Sequence, residues 1–155
     1  MKEHVLVIDD DELVRTGLAD NLERAGFRVS MAASGEEACA LVARETVDLA
    51  LCDLVLGDLD GIEVLRRVKA QAPHTGVVMI TGHGSIKNAL DALRSGANDY
   101  MQKPADPDEV IHRVRTVLDA RHLRDSLTAE RQRTEARRKE YSEQLNRSER
   151  MSSLG

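Results

Sequence analysis

Short apolar runs alternate with longer amphipathic stretches over the first 118 residues of this chain. The apolar runs are four to six residues long, which is typical of buried strands. The stretches between them repeat apolar residues every three or four positions, as helices packed on a sheet do. Strands that alternate with helices form a parallel sheet covered on both faces. We therefore expect an α/β fold, a doubly wound (βα)5 sheet with strands at residues 4–9, 27–31, 48–53, 76–81 and 99–102.

Residues typical of helix ends stand between these runs. Ser34 and Glu37 fit a capping box at the start of the second predicted helix, in which each residue binds the other's backbone N–H. Gly26 and Gly96 stand where helix C-caps are expected. Asp106, which precedes a proline, predicts the start of the last helix of the sheet domain.

Composition narrows the classes of function. With one Phe, two Tyr and no Trp among 155 residues, the core has to be aliphatic and aromatic stacking on nucleic-acid bases is not expected. The net charge of −5 argues against direct nucleic-acid binding by this piece. Cys39 and Cys52 lie in apolar stretches without metal-ligand spacing, which predicts buried, reduced thiols. No apolar run is long enough to span a membrane, so we expect a cytoplasmic location.

Polar residues follow the predicted strands at one edge of the sheet. Asp9 and Asp10 follow the first strand, Asp53 ends the third, Thr81 ends the fourth and Lys103 follows the fifth. The carboxyl ends of parallel strands lie together, so these side chains should meet. Two carboxylates about 4 Å apart repel by roughly 4 kcal/mol at an effective dielectric constant of 20. A cation between them removes that penalty, and the oxygen ligands favour Mg²⁺.

Each of these residues also has an ordinary structural interpretation. Asp9 or Asp11 could cap a helix, and Thr81 could cap the helix that follows it. Lys103 could be a solvated surface charge, and Tyr100 could be part of a static core.

Four segments together carry a family resemblance. The sequences VLVIDDD, DLALCDLVLGDLDG, VVMITGHGS and GANDYMQKP occur in this order over roughly residues 4–118. At this spacing the chain resembles the receiver domain of two-component response regulators. The resemblance implies a flavodoxin-like receiver fold and a role in phosphorelay signal transduction.

The resemblance also implies a phosphorylation site. Asp53 would accept a phosphoryl group from a histidine kinase or a phosphotransfer protein. Mg²⁺ would be held by Asp9, Asp10 and Asp53, with the backbone carbonyl of Val55 as a further ligand. The receiver itself would catalyse only its own phosphorylation and dephosphorylation.

Three further residues would serve the switch. By the same resemblance Lys103 would pair with the phosphoryl oxygens, and its bond to Pro104 would be cis. Thr81 would move its hydroxyl towards the phosphoryl group, and Tyr100 would enter the space that Thr81 leaves. Phosphorylation would then shift an existing equilibrium between two states.

The chain departs from the family at positions close to Asp53. Many relatives carry a proline near Gly57 or Asp58, and its absence predicts a more mobile loop. Val55 and His83 stand two positions after Asp53 and Thr81. In the family these positions tune the lifetime of the acyl phosphate, and the sequence leaves that lifetime open.

The sequence changes character after residue 118, so we expect a receiver at 1–118 and a helical, possibly coiled-coil linker at 119–155. The second segment holds nine Lys or Arg, seven Asp or Glu and no Pro, which favours one long helix. A long helix with few apolar residues gains little stability unless it pairs. We expect a parallel homodimer through Leu123, Leu127, Tyr141, Leu145 and Met151. The alternative is a solvated helix without a partner.

The last residues bear on the output of the switch. LNRSERMSSLG resembles the segment that enters the dimerisation helix of histidine kinases, so we expect a histidine kinase output beyond Gly155. The alternative is a transcriptional regulator with an ATPase output. A remote alternative is a haloacid-dehalogenase-like phosphohydrolase, because Asp9 and Asp11 form an Asp-x-Asp, but Leu13 stands where that family has Thr or Val.

Overall fold

The computed structural model describes residues 2–82 and 86–154, with side chains up to residue 149. Its elements are β1 (His4–Ile8), α1 (Glu12–Arg24), β2 (Arg28–Ala32), α2 (Gly35–Arg44), β3 (Leu49–Asp53), α3 (Gly61–Gln71), β4 (Gly76–Thr81), α4 (Ile86–Arg94), β5 (Asp99–Gln102) and α5 (Pro107–Leu154). The chain divides into two compact units, Met1–Asp119 and Ala120–Gly155.

The first unit is built on one five-stranded parallel sheet with the order β2-β1-β3-β4-β5. This architecture confirms the predicted (βα)5 fold, and each predicted strand boundary lies within one residue of the observed one. The order reverses at β1, whose neighbours are β2 and β3. Ligand sites of open α/β sheets lie at such a switch point, outside the carboxyl ends of the strands.

The core consists of two aliphatic layers, one on each face of the sheet. Every residue of β1, β3 and β4 is buried, as expected for central strands covered on both sides. Side chains alternate between the layers along each strand, so Leu6 packs on the side of α2 and α3 while Val7 packs on the side of α1 and α5. The core is aliphatic as expected apart from Phe27, which is buried in the layer of α1 and α5.

The helix ends agree with the sequence in most details. Ser34 accepts the N–H of Glu37, and the Glu37 carboxylate accepts the N–H of Ala33, one residue earlier than in a standard capping box. Gly26 and Gly96 have φ angles of 101° and 109°, which only glycine adopts without strain.

The two cysteines differ in environment. Cys52 is buried, whereas Cys39 on α2 is only half-buried, so the expected burial holds for Cys52 alone. Burial raises the pKa of both thiols, which keeps them protonated at neutral pH.

The second unit is the C-terminal part of α5. Its larger apolar side chains are exposed, namely Leu123, Leu127, Tyr141 and Leu145; the side chain of Met151 lies outside the described residues. Within the described part of the chain, no helix has both the length and the apolar content needed to cross a bilayer.

Candidate functional site

Three carboxylates meet at the carboxyl edge of the sheet. Asp9 and Asp10 follow β1, and Asp53 ends β3. These two strands are direct neighbours, so one oxygen from each of the three side chains lies within 4.8 Å of the others. Asp9 and Asp53 are buried and Asp10 is exposed. The predicted acidic cluster is therefore present, and one of its sides is open to solvent.

Lys103 lies between the two buried carboxylates. Its Nζ donates to Oδ2 of Asp9 at 2.7 Å and to Oδ2 of Asp53 at 3.0 Å. Burial by itself lowers the pKa of Lys103, but the hydrogen bonds and charges of the two aspartates outweigh it and leave the pKa above its usual value. The predicted cis bond between Lys103 and Pro104 is present. Lys103 is thus a charged component of the cluster and not a solvated surface residue.

The second oxygen of each buried carboxylate is bound by a backbone N–H. Oδ1 of Asp9 accepts from Asp11, and Oδ1 of Asp53 accepts from Val55. Asp11 is the N-cap of α1, so the helix-cap interpretation is correct for Asp11 and not for Asp9. These contacts fix both carboxylates in a single orientation.

The arrangement fits a hard divalent cation. The three carboxylates carry more negative charge than Lys103 neutralises, and they offer only oxygen donors. Mg²⁺ prefers such ligands and keeps several of its waters, which the open side at Asp10 leaves room for. Arg15, which the sequence analysis did not single out, donates to the backbone carbonyl of Asp9 at 2.9 Å. It therefore holds the backbone of the cluster and leaves the carboxylate oxygens of Asp9 to other partners.

Thr81 and Tyr100 lie on one face of the sheet. Thr81 is fully buried at the end of β4, and Tyr100 on β5 pairs with Met79, two residues before Thr81. The Tyr100 ring packs against the core layer of α2 and α3. Its hydroxyl is buried without a hydrogen-bond partner among the described residues, and burial raises its pKa. His83 lies outside the described residues.

The loop after Asp53 returns directly to the end of its own strand. Val55 and Asp60 form an antiparallel bridge, and the N–H of Gly61 donates to the carbonyl of Leu54 at 2.8 Å. A Cβ at Gly61 would lie 2.4 Å from the carbonyl oxygen of Asp53, a distance that no side chain tolerates. Gly61 was missed by the sequence analysis, since its Asp-Gly dipeptide signals only a turn.

Asp58, which the sequence did not mark as a site residue, also holds this loop. Its carboxylate accepts the backbone N–H groups of Gly35 and Glu36, both at 2.9 Å. These bonds hold the pKa of Asp58 below its usual value. The missing proline predicted a mobile loop, but the structure shows this loop fastened to α2.

Comparison with known proteins identifies the family. The profile described as "Response regulator receiver domain" matches residues 5–115. The chain therefore belongs to the response regulator receiver domain family. The alginate biosynthesis transcriptional regulatory protein AlgB of Pseudomonas aeruginosa is 36% identical over 125 residues, which are 81% of this chain and 28% of AlgB. The chain thus spans less than a third of that relative.

Solved structures of other receiver proteins share this fold. A CheY-like receiver domain protein of Methanospirillum hungatei JF-1 has a TM-score of 0.78 and 30% identity, covering 80% of this chain and 99% of that chain. A Burkholderia pseudomallei response regulator has a TM-score of 0.71 and 30% identity, covering 81% of this chain and 74% of that chain. The latter structure contains a phosphorylated aspartic acid, a calcium ion and citrate.

Because three carboxylates face one lysine, the removal of one negative charge by Asp10→Asn should change the stability of the chain. Without Mg²⁺ this variant should be more stable than the wild type by up to about 1 kcal/mol, because one partly solvated like charge is removed. Mg²⁺ at 100 times its dissociation constant should stabilise the wild type by about 2.7 kcal/mol, and the variant by clearly less. Urea unfolding with EDTA and with Mg²⁺ measures both effects.

The matched control is Asp20→Asn, which removes an exposed carboxylate of α1 outside the cluster. It should respond to Mg²⁺ as the wild type does. Equal Mg²⁺ stabilisation of Asp10→Asn and Asp20→Asn would contradict a role for Asp10 in binding the ion.

Proposed function

We propose that the first unit is a phosphorylation-activated switch in which the Asp53 carboxylate accepts a phosphoryl group from a phosphohistidine of a kinase or phosphotransfer protein. The observation that carries the proposal is the shared position of Asp53, Asp9, Asp10 and Lys103 at the carboxyl edge of the sheet. Phosphoryl transfer depends mainly on positioning and charge neutralisation, and this cluster supplies both.

In the proposed reaction an oxygen of Asp53 attacks phosphorus. A P–O bond forms, and the P–N bond breaks with its electron pair going to the imidazole of the donor histidine. The ammonium group of Lys103 is already 3.0 Å from Oδ2 of Asp53, and it would shift to form an ion pair with the oxygens of the transferred phosphoryl group. The N–H of Val55 holds the other Asp53 oxygen and so orients the nucleophile. Mg²⁺, held by the three aspartates and the Val55 carbonyl, would neutralise charge on the phosphoryl oxygens.

The response would begin at Thr81. A hydroxyl that moves towards the phosphoryl group would leave space beside Tyr100, which lies on the same sheet face and has a buried hydroxyl without a partner among the described residues. A conformation in which the Tyr100 hydroxyl reaches a hydrogen-bond partner would be stabilised by that bond. Thr81 and Tyr100 would thus bias two states of the receiver, as a phosphorylation switch requires.

The similar Burkholderia protein supports this chemistry, since its structure combines a phosphorylated aspartic acid with a divalent ion. The family match over residues 5–115 outweighs the Asp-x-Asp of Asp9 and Asp11, so we do not propose the haloacid-dehalogenase alternative.

We further propose that the switch acts on an output module through the C-terminal helix. Two outputs have specific support. The terminal segment LNRSERMSSLG favours a histidine kinase, whereas the similarity to the transcriptional regulator AlgB favours a transcriptional regulator. Translating the gene downstream of the codon for Gly155 distinguishes the two.

Mass spectrometry after incubation with acetyl phosphate tests the phosphorylation proposal. The wild type should gain one phosphoryl group in the presence of Mg²⁺ and none in EDTA, because the carboxylate cluster repels the anionic donor unless a divalent cation is bound. Asp53→Asn should gain none, whereas the control Asp20→Asn should be labelled like the wild type. Undiminished labelling of Asp53→Asn would exclude Asp53 as the acceptor.

The exposed apolar residues of the second unit support the proposed parallel homodimer. Leu127→Glu should shift sedimenting species towards monomer at high micromolar concentration, because it places a charge in the apolar seam. Gln132→Glu, five residues along the same helix and outside the seam, adds the same charge and should leave the dimer intact. A wild type that sediments as a monomer, with or without beryllofluoride, would contradict a dimerisation role for the helix.

A further inference from the structure

The loop of residues 54–60 joins the phosphoacceptor strand to α3 and is fixed by separate contacts at its base and at its tip. Its base is closed by the Val55–Asp60 bridge and by the hydrogen bond from Gly61 to Leu54. These contacts lie within the loop and at the start of α3. They do not involve the tip of the loop, which is Gly57 and Asp58.

The tip is held by the N-terminus of α2. Oδ1 of Asp58 accepts the N–H of Gly35 and Oδ2 accepts the N–H of Glu36, each at 2.9 Å. The first N–H groups of a helix have no partner inside it, and the side chain of Ser34, the N-cap of α2, accepts the N–H of Glu37. Asp58 therefore completes the cap of a helix that lies more than 20 residues earlier in the chain.

Apolar packing brings the same two segments together. A Cβ at Gly35 would lie 2.7 Å from Cγ2 of Val64 and 3.0 Å from Cβ of Leu59. Leu59 is partly buried against the core layer that contains Val64. The first residue of α2 thus needs to be glycine for the helix to approach the loop closely enough for the Asp58 hydrogen bonds.

The tip also lies next to the acidic cluster. Apart from its two neighbours in the chain, the nearest atom to a Cβ built at Gly57 is Oδ2 of Asp10, at 4.0 Å. Gly57 has neither a side chain nor the ring with which a proline would fix the φ angle, so this residue does not itself restrict the tip. The restriction comes instead from Asp58, the next residue.

We propose that Asp58 is a positioning residue for the Mg²⁺ site, because its two hydrogen bonds to α2 fix the loop that carries the Val55 carbonyl and borders Asp10. The inference rests on the proposed function, which places Val55 and Asp10 among the ligands of the ion. Asp58 itself touches neither the ion nor the phosphoryl group. Its loss would free the tip of the loop beside Asp10 and leave the Val55 carbonyl held only by the contacts at the base, so that ion binding has to order the loop and becomes weaker.

The test compares four variants of the full chain. Asp58→Ala removes both hydrogen bonds, Asp58→Asn retains one acceptor oxygen, and Asp58→Glu retains the carboxylate on a longer side chain. Ser34→Ala is the matched control, because it removes the local cap of α2 and leaves the hydrogen bonds from Gly35 and Glu36 to Asp58 in place. Mg²⁺ affinity is measured by NMR titration, and phosphorylation by acetyl phosphate is measured separately as a function of Mg²⁺ concentration.

Asp58→Ala should weaken Mg²⁺ binding about three- to tenfold. Groups that hydrogen-bond directly to a metal ligand cost about tenfold or more in affinity when they are removed, and Asp58 acts less directly. Asp58→Asn should lie between Asp58→Ala and the wild type, and Asp58→Glu should recover part of the loss. The phosphorylation rate at saturating Mg²⁺ should stay within about twofold of the wild type, since bound ion restores the loop. Ser34→Ala should bind Mg²⁺ as the wild type does.

Unchanged Mg²⁺ affinity in Asp58→Ala would overturn the inference. Equal weakening in Ser34→Ala and Asp58→Ala would also overturn it, because the effect would then come from α2 stability alone. Failure of the proposed function has a different signature: the wild type binds Mg²⁺, and Asp58→Ala weakens that binding, but Asp53 is not phosphorylated.

Discussion

The repulsion between the carboxylates of Asp9, Asp10 and Asp53 is the constraint on which the site depends. Three such groups within 4.8 Å destabilise a fold unless cations and N–H donors offset the charge. In this structure Lys103 binds the two buried carboxylates, and backbone N–H groups bind their remaining oxygens. The negative charge that makes the cluster costly also attracts a divalent cation, and a cation bound there would offset the repulsion of an anionic phosphoryl donor.

The rest of the first unit holds these groups in place. The pairing of β1 with β3 brings Asp9 beside Asp53, and buried strands give both a rigid base. Gly61 lets α3 begin directly against the carbonyl of Asp53, and Asp58 fastens the intervening loop to α2. Substitutions at positions outside the cluster can therefore change the positions of the three carboxylates without any contact to them.

The sequence predicted the sheet and the residues at its carboxyl edge, because both follow from local periodicity. Asp9, Asp53 and Lys103 each stand beside a strongly apolar run, and parallel strands bring such positions together whatever the details of packing. Asp58 and Gly35 show where this reasoning stops. Their contact depends on how closely α2 approaches α3, which tertiary packing decides and no local pattern reveals. Arg15 was missed for a different reason: a basic residue in an amphipathic helix is usually solvated, and nothing in the pattern shows that its side chain bends back to the carbonyl of Asp9.

We propose that Lys103 and a divalent cation neutralise one shared carboxylate cluster, which is rearranged when Asp53 carries a phosphoryl group. A crystal structure of the chain with Mg²⁺ and beryllofluoride measures this most directly. We expect beryllium bound to an oxygen of Asp53, the metal ion in contact with the aspartate cluster, and Lys103 Nζ moved from the Asp53 carboxylate to a fluorine. A structure in which Lys103 keeps both carboxylate contacts of 2.7 and 3.0 Å, with Asp53 unmodified at saturating beryllofluoride, would contradict the claim.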